Sequence, residues 1–276
     1  MRSTGPTQFA LGGTEPVVLG QSSHHPYWIE STWRDDDGTI FAWYHHEPEG
    51  LCGSSTLTAP KIGALVSTDN GVTFSDLGIV LETGYPIDCT ARNGYFAGGH
   101  GDCTVVLSRN GKYFYFLFGN YGGPLETQGV VAARMPFDRR NNPVGAVEKY
   151  YNGRWHEPGL GGQVTPIFPA NVSWMSANAN AYWGPSVHWN TYLSTWVMLL
   201  NHTCCSPGWP QEGVYVSYNN SLANPMGWSV PVKLMEGGNW YPQVIGYPPD
   251  GTDKLAGQTA RFYIGGISDW TITFTK

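Results

Sequence analysis

Apolar residues recur along the chain in short runs rich in aromatic and β-branched side chains, a pattern typical of strands rather than helices. The runs come in pairs, and each pair flanks a connection containing Gly, Asn, Asp or Pro, as in a β-hairpin. Four hairpins are predicted, at residues 28–33 with 39–44, 101–107 with 112–118, 183–189 with 195–200, and 241–246 with 260–265.

Further strands extend the first three hairpins into sheets. Third strands with small residues are predicted at 61–67, 129–134 and 213–217, and fourth strands at 78–82, near 149–151 and at 231–235. A unit of four antiparallel strands repeating every ~60–80 residues is typical of a propeller blade.

The number of blades depends on the strands left over. Residues 8–11 and 16–19 read as outer strands without an inner hairpin, and residues 270–274 as one more strand. We therefore predict an all-β protein, a β-propeller of five blades whose N-terminal blade is incomplete, forming a single domain over residues 1–276. A propeller of four blades is the alternative.

Composition agrees with this fold class and excludes others. The 276 residues include 36 Gly and 20 Pro, with 14% aromatic and only 13% charged residues. Disordered chains are poor in aromatics and rich in charge, and helical bundles need amphipathic runs that are missing here. The net charge of −6 without a Lys/Arg cluster excludes a nucleic-acid partner, and no apolar run approaches the ~18 residues of a membrane span.

The cellular compartment is not fixed by the sequence. The N-terminus lacks the apolar core of a signal peptide, so we expect a cytoplasmic protein if the sequence is complete at this end. If an N-terminal segment is missing, we expect a secreted or periplasmic protein. The five cysteines are interpreted as buried free thiols, with a Cys52–Cys89 disulfide as the alternative. The adjacent Cys204 and Cys205 are not expected to bond to each other.

One turn motif is specific. Residues 67–74 read Ser-Thr-Asp-Asn-Gly-Val-Thr-Phe, which fits the Asp box of sialidase-type propellers. Asp69 is expected to cap the hairpin turn that Gly71 permits, so the motif marks a fold and not a catalytic site.

The chain also resembles known propellers along most of residues 26–275. The hairpin plan is similar to the five-bladed glycoside hydrolases of the arabinanase and xylosidase type (family 43), and several strings resemble uncharacterised bacterial propeller proteins related to them. The strings lie at residues 28–33, 57–63, 76–81, 129–134, 183–190, 211–217 and 240–246.

The resemblance implies a trio of acidic residues, each on the innermost strand of a different blade. In the family, an Asp of the first blade is the base, an Asp of the second tunes a pKa, and a Glu in a Glu-Gly-Pro motif of the third is the acid. Asp102 matches the second position. The third reads Trp183-Gly-Pro185, so the usual acid is absent, and the strand of the base is expected to belong to the missing part of the first blade.

Hairpin geometry gives an independent list of site residues. The start of the first strand and the end of the second lie at the same end of a blade, so those positions converge on the central channel. Six of the eight histidines fall at this end: His24, His25, His45, His46, His100 and His202. The catalytic candidates are Asp102, Glu30, Glu47 and His45, and the substrate-binding candidates are Trp28, Trp183, Tyr241, Gln243, Asn120, Tyr121, Asn201 and His202.

Carboxylates and aromatic rings at a channel mouth suit glycoside hydrolysis, in which an acid protonates the leaving oxygen and a base activates water. We predict a glycoside hydrolase-like enzyme with a poly- or oligosaccharide substrate. Two alternatives stay open, a metal-dependent hydrolase that uses His45, His46 and His202, and a carbohydrate-binding propeller without catalysis. We assign no metal ligand, but a divalent metal in the channel is the cofactor to test for. A homodimer also stays open, because an incomplete propeller exposes a sheet edge.

Overall fold

The structure is a computed structural model that describes residues 1–20, 24–53 and 55–276. Within these ranges the regular elements are strands and three single-turn 3₁₀ helices, at Leu125–Thr127, Phe137–Arg139 and Pro225–Gly227. None of the helices in the described ranges has the length and apolar character needed to cross a membrane.

The N-terminal segment does not form part of a separate blade. Its strands are β1 (Arg2–Ser3), β2 (Thr14–Glu15) and β3 (Val18–Leu19). Strand β1 pairs with β2, while β3 pairs in parallel with residues 73–74. Residues 8–11, predicted as a strand, lie in a chain reversal instead, because the amide of Ala10 donates to the carbonyl oxygen of Thr7 at 3.1 Å.

Blade 1 follows the predicted hairpin and its two outer strands. Its strands are β4 (Tyr27–Arg34), β5 (Ile40–His46), β6 (Lys61–Ser67) and β7 (Thr73–Leu81). They pair in the order β4-β5-β6-β7, and β3 adds to the outer edge.

The turn between β6 and β7 is held by Asp69. Its carboxylate accepts hydrogen bonds from the amides of Val72 at 3.1 Å and Thr73 at 2.9 Å, and Gly71 has a φ of 79°. These contacts agree with a capping role for Asp69, and they keep it within its own turn.

Blade 2 has six strands. They are β8 (His100–Leu107), β9 (Tyr113–Asn120), β10 (Gly129–Pro136), β11 (Glu148–Tyr151), β12 (Arg154–Pro158) and β13 (Phe168–Pro169). The order is β8-β9-β10-β11-β12, and β13 pairs with β10.

The C-terminal half supplies two more sheets. The strands are β14 (Ala181–Asn190), β15 (Thr195–Thr203), β16 (Gln211–Asn219), β17 (Val232–Glu236), β18 (Gln243–Gly246), β19 (Leu255–Ala256), β20 (Thr259–Ile264) and β21 (Ile267–Thr273). Blade 3 has the order β17-β16-β15-β14-β19, and blade 4 has the order β18-β20-β21.

The core consists of layers between successive blades. Neighbouring residues of a strand point to opposite faces of the sheet. On β9, Phe116 therefore packs with Trp43 between blades 1 and 2, whereas Leu117 packs with Met198 between blades 2 and 3. Leu199 belongs to a third layer, between blades 3 and 4.

The arrangement is all-β and that of a β-propeller, with four sheets of three or more strands among the described residues. This number fits the four-bladed alternative, and the predicted fifth blade is not confirmed. The reason lies at the N-terminus, where β3 extends blade 1 and β1 pairs only with β2.

The cysteines correct the interpretation as free thiols. Cys52 and Cys89 form a disulfide, with Cα atoms 5.4 Å apart, a separation typical of disulfides. Cys204 is also paired with Cys205, contrary to the expectation from the sequence. Cys103 is the one free cysteine found among the described residues, and it is buried.

Candidate functional site

The innermost strands of blades 1, 2 and 3 share an irregularity near their starts. Pairing slips by one residue at Glu30 on β4, at residues 102–103 on β8 and at residues 184–185 on β14. Asp102 and Gly184 have positive φ values of 49° and 56°. An extra residue in a strand re-aims the side chains beside it, and such bulges often flank active sites.

The bulges surround a pocket of about 490 Å³. Seven of the predicted site residues line it: Trp28, Glu30, His45, Glu47, Asp102, Tyr241 and Gln243. Trp28 is 52% exposed and Tyr241 is 48% exposed, so both rings present apolar surface to a ligand. His45 is the one histidine among the described residues that line this pocket.

His45 lies between the carboxylates. Its Nδ1 is 3.3 Å from Oε1 of Glu30 and 4.0 Å from Oδ1 of Asp102, and its Nε2 is 3.2 Å from Oε1 of Glu47. Gly101 permits this position, because a Cβ there would lie 2.5 Å from the His45 ring. Burial lowers the pKa of His45, but the three carboxylates together hold it well above its ordinary value.

Asp102 is buried at the back of the pocket. Tyr121 donates a hydrogen bond to its Oδ2, and the Tyr241 hydroxyl donates to its Oδ1 at 3.0 Å. Its amide nitrogen lies 3.1 Å from Nδ1 of His45. Burial raises the pKa of Asp102 to about 6, with a further rise from Glu30, while His45 and the two tyrosines oppose it. Asp102 can therefore carry a proton near neutral pH.

The carboxylate of Glu30 lies near that of Asp102. An oxygen of Glu30, a nitrogen of His45 and an oxygen of Asp102 all lie within 4.8 Å of one another. The amide of Cys103 donates to Oε2 of Glu30 at 2.6 Å. The bulge on β8 thus supplies the donor that fixes Glu30 of the neighbouring blade.

Two predicted aromatic contacts lie behind the pocket instead. Trp183 is only 1% exposed and packs at 5.4 Å from Trp209 and 5.7 Å from Tyr241, so it is not available to stack on a sugar. Tyr121 is fully buried and reaches Asp102 through its hydroxyl. Both side chains support the wall of the pocket.

Three predicted polar contacts also point elsewhere. Asn120 donates to backbone carbonyls of the following loop, at 3.1 Å and 2.7 Å. Asn201 accepts a hydrogen bond from the amide of Tyr241 at 2.9 Å, and so holds that residue at a φ of 59°. His202 lies 2.9 Å from Glu212 in blade 3. Each of the three side chains has hydrogen-bond partners within the protein, so a direct substrate contact is not supported.

Eight further residues line the pocket that the sequence pattern did not indicate. They are Ile29, Cys103, Thr104, Gly184, Pro185, Ser186, Pro242 and Lys254. All but Lys254 lie within three residues of a predicted site residue and could have been found by extending the list. Lys254 could not, because it lies in the long Pro/Gly loop after β18, without a strand pattern.

The residues that could bind a metal differ from the three histidines considered from the sequence. Glu30, His45 and Asp102 are the one group of three or more His, Cys, Asp or Glu ligands found close together within the described ranges. His46 and His202 lie outside it, so a site built from His45, His46 and His202 is not supported. A divalent ion, if bound, would take the same residues that we assign to the carboxylate chemistry.

No protein-family model and no curated protein sequence matches the chain. Among solved structures, Zg3597, a family 117 glycoside hydrolase of the marine bacterium Zobellia galactanivorans, is similar at 8% identity, with a TM-score of 0.50 over 91% of this chain and 71% of that one. An exo-1,5-α-L-arabinanase from a bovine ruminal metagenomic library gives 11% identity and a TM-score of 0.49 over 91% and 72%.

A third structure is described with the family 130 mannoside phosphorylases, which contain glycoside hydrolases that target β-1,2-mannosidic linkages. It gives 12% identity and a TM-score of 0.47, and the chain covers 86% of its own length but only 59% of that protein. At such identities a likeness shows the fold alone. The match to the family 117 enzyme therefore shows that this chain has a glycoside hydrolase-like β-propeller fold.

Proposed function

We propose that the protein is a glycoside hydrolase-like enzyme that acts on a poly- or oligosaccharide bound in the pocket. The observation that carries the proposal is the convergence of Glu30 and Asp102 from two blades onto one pocket, with His45 between them. The exposed rings of Trp28 and Tyr241 supply the apolar surface that sugar faces need.

Asp102 is assigned as the acid. With a pKa raised to about 6, it keeps its proton further toward neutral pH than an ordinary carboxyl group does. The Tyr241 hydroxyl is hydrogen-bonded to Asp102, and both residues line the pocket. The proton can therefore pass to the leaving oxygen directly or through this hydroxyl, and the bond to the anomeric carbon then breaks.

Glu30 is assigned as the second carboxylate. Its oxygen lies within 4.8 Å of an oxygen of Asp102. Retaining enzymes hold their carboxyl groups roughly 5–5.5 Å apart, whereas inverting enzymes need about 6.5–9.5 Å to admit a water molecule. The short separation favours attack by Glu30 on the anomeric carbon, followed by hydrolysis of the glycosyl ester.

His45 and Glu47 assist. Glu47 lies 3.2 Å from His45, on the side of the ring away from Glu30. A positively charged His45 between them offsets the repulsion of the carboxylates and fixes the orientation of Glu30. This role is positioning, since His45 acts through its neighbours.

A sugar-binding propeller without turnover is the second candidate. It is favoured by the burial of Asp102, which is 5% exposed and has both carboxylate oxygens hydrogen-bonded to tyrosines. In that case Asp102 would hold Tyr241 in place for binding and would transfer no proton.

A panel of aryl glycosides and oligosaccharides tests the proposal. Glu30→Gln should reduce turnover by about 10²–10⁴-fold on the best substrate. Glu126→Gln, at an exposed position outside the pocket, is the matched control and should keep full activity. Binding of oligosaccharides without any turnover by the native protein would favour the second candidate. The metal content of the purified protein tests the alternative of a metal-dependent hydrolase.

A further inference from the structure

Lys254 brings a positive charge to the wall of the candidate site pocket. It lines this pocket of about 490 Å³ and also a neighbouring pocket of about 460 Å³, so its side chain forms part of the wall between the two. Among the described residues that line the candidate site pocket, it is the only lysine or arginine. Its side chain is 20% exposed.

The ammonium group is held in place but not saturated. Nζ lies 3.1 Å from the Thr104 hydroxyl and 3.2 Å from the carboxylate of Asp253. An ammonium group has three N–H donors. Two partners in the described structure leave one donor for a ligand in the pocket.

The backbone that carries Lys254 is fixed from several sides. Its carbonyl accepts a hydrogen bond from the amide of Trp189 at 2.9 Å, and its amide donates to the Thr252 hydroxyl at 3.0 Å. The side chain of Gln8 donates to the carbonyl of Gly246, where the loop begins, at 2.7 Å and to that of Gly251 within the loop at 2.8 Å. A charge presented in this way binds without a large ordering cost.

Lys254 is not needed as a counter-ion for the catalytic carboxylates. Asp102 is bonded by two tyrosines, Glu30 by the amide of Cys103, and Glu47 is paired with His45. Within the described structure, the salt bridge of Lys254 is to Asp253 and to none of these three carboxylates.

We propose that Lys254 binds an anionic group on the substrate, a carboxylate or a sulfate, and that the substrate class is therefore acidic sugars. This inference rests on the proposed glycoside hydrolase function and narrows it. Glu30 and Asp102 act on the glycosidic bond, while Lys254 fixes the acidic substituent at another part of the pocket wall. The compact ammonium charge of a lysine binds either anion, so carboxylated and sulfated sugars must be distinguished by experiment.

Oligosaccharide pairs that differ only in charge provide the test. One arm compares uronate oligomers with their methyl esters, and the other compares sulfated oligomers with their desulfated forms. We expect the native enzyme to prefer the charged member of at least one pair. In Lys254→Met the ratio of kcat/KM on charged and neutral members should fall about 10–100-fold, as expected for loss of a hydrogen bond to a charged group. Lys254→Arg should retain most of this preference.

Two further variants keep the test decisive. Lys112→Met, at an exposed turn, is the matched control and should leave the ratio unchanged. Thr104→Val removes the hydroxyl that orients Lys254, and it should weaken the preference even if Lys254→Met fails to fold. If the enzyme turns over neutral sugars, and no Lys254 or Thr104 variant alters the ratio of kcat/KM on charged and neutral members, this inference alone is overturned. Failure of the native protein to bind or cleave any carbohydrate overturns the proposed function and this inference together.

Discussion

Asp102→Asn should make the protein more stable at neutral pH while it removes activity. The folded protein raises the pKa of Asp102 from 3.8 to about 6, chiefly through burial. Between these two values the folded state binds the proton more tightly than the unfolded chain does. Stability therefore falls as the pH rises from about 4 to 6, and the loss persists above pH 6.

The magnitude follows from the pKa difference. At 1.36 kcal/mol for each pKa unit, a rise from 3.8 to about 6 corresponds to about 3 kcal/mol. Asparagine keeps the shape and carries no charge; its oxygen still accepts the hydrogen bond of Tyr241, and its NH2 group can donate to the Tyr121 hydroxyl in place of the bond that Tyr121 now donates. Asp102→Asn should thus be more stable than the native protein at pH 8, by up to about 3 kcal/mol, and nearly equal below pH 4.

Denaturant unfolding from pH 4 to pH 8 measures this difference, with turnover followed on the same samples. Activity should fall by about 10²–10⁴-fold if Asp102 donates the proton. Asp138→Asn, at an exposed position, is the control and should change neither property. A variant that is less stable at pH 8 but fully active in its folded fraction would show that Asp102 is only structural. That result would remove Asp102 from the site.

Further outcomes are expected elsewhere. The Tyr241 hydroxyl lowers the pKa of Asp102, so Tyr241→Phe should raise that pKa and move the alkaline limb of the pH–rate profile to higher pH. An unchanged limb would argue against Asp102 as the acid. Buried Lys149 donates to two backbone carbonyls, and burial lowers its pKa to about 7. Native stability should therefore rise between pH 7 and pH 10, and Lys149→Met should flatten this rise in urea titrations. Cys52→Ser should cost about 4 kcal/mol, since the disulfide spans 37 residues, and a melting temperature equal to that of the native protein would contradict this. Asp69→Asn should lower the melting temperature and leave turnover intact.

Much of the fold could be predicted because hairpins are local. Strand β6 spans Lys61–Ser67, as predicted, and the inner hairpins of blades 1, 2 and 3 were found to within a few residues. Alternation of side chains and turn residues such as Gly71 act over a few positions, so the sequence reveals them directly. The same local logic placed Glu30, His45 and Asp102 at one end of their blades.

Pairings between distant segments were harder to predict. The N-terminal residues read as parts of a separate blade, but Val18–Leu19 instead add to blade 1. Cys52 and Cys89 lie in loops whose approach no local pattern specifies. Such contacts depend on where whole sheets pack, which a one-dimensional pattern does not contain.

The sequence alone determined the strands, the turns and the end of the blades where acidic and aromatic residues gather. Only the tertiary structure decided which of them share the pocket. Bulges at Glu30 and Asp102 turn these side chains toward the pocket, whereas Trp183 packs into the wall behind it. Lys254 reaches the pocket because its loop pairs with the innermost strand of another blade. Side-chain direction at a bulge and the path of a loop are set by long-range packing, so they appear only once the sheets are assembled.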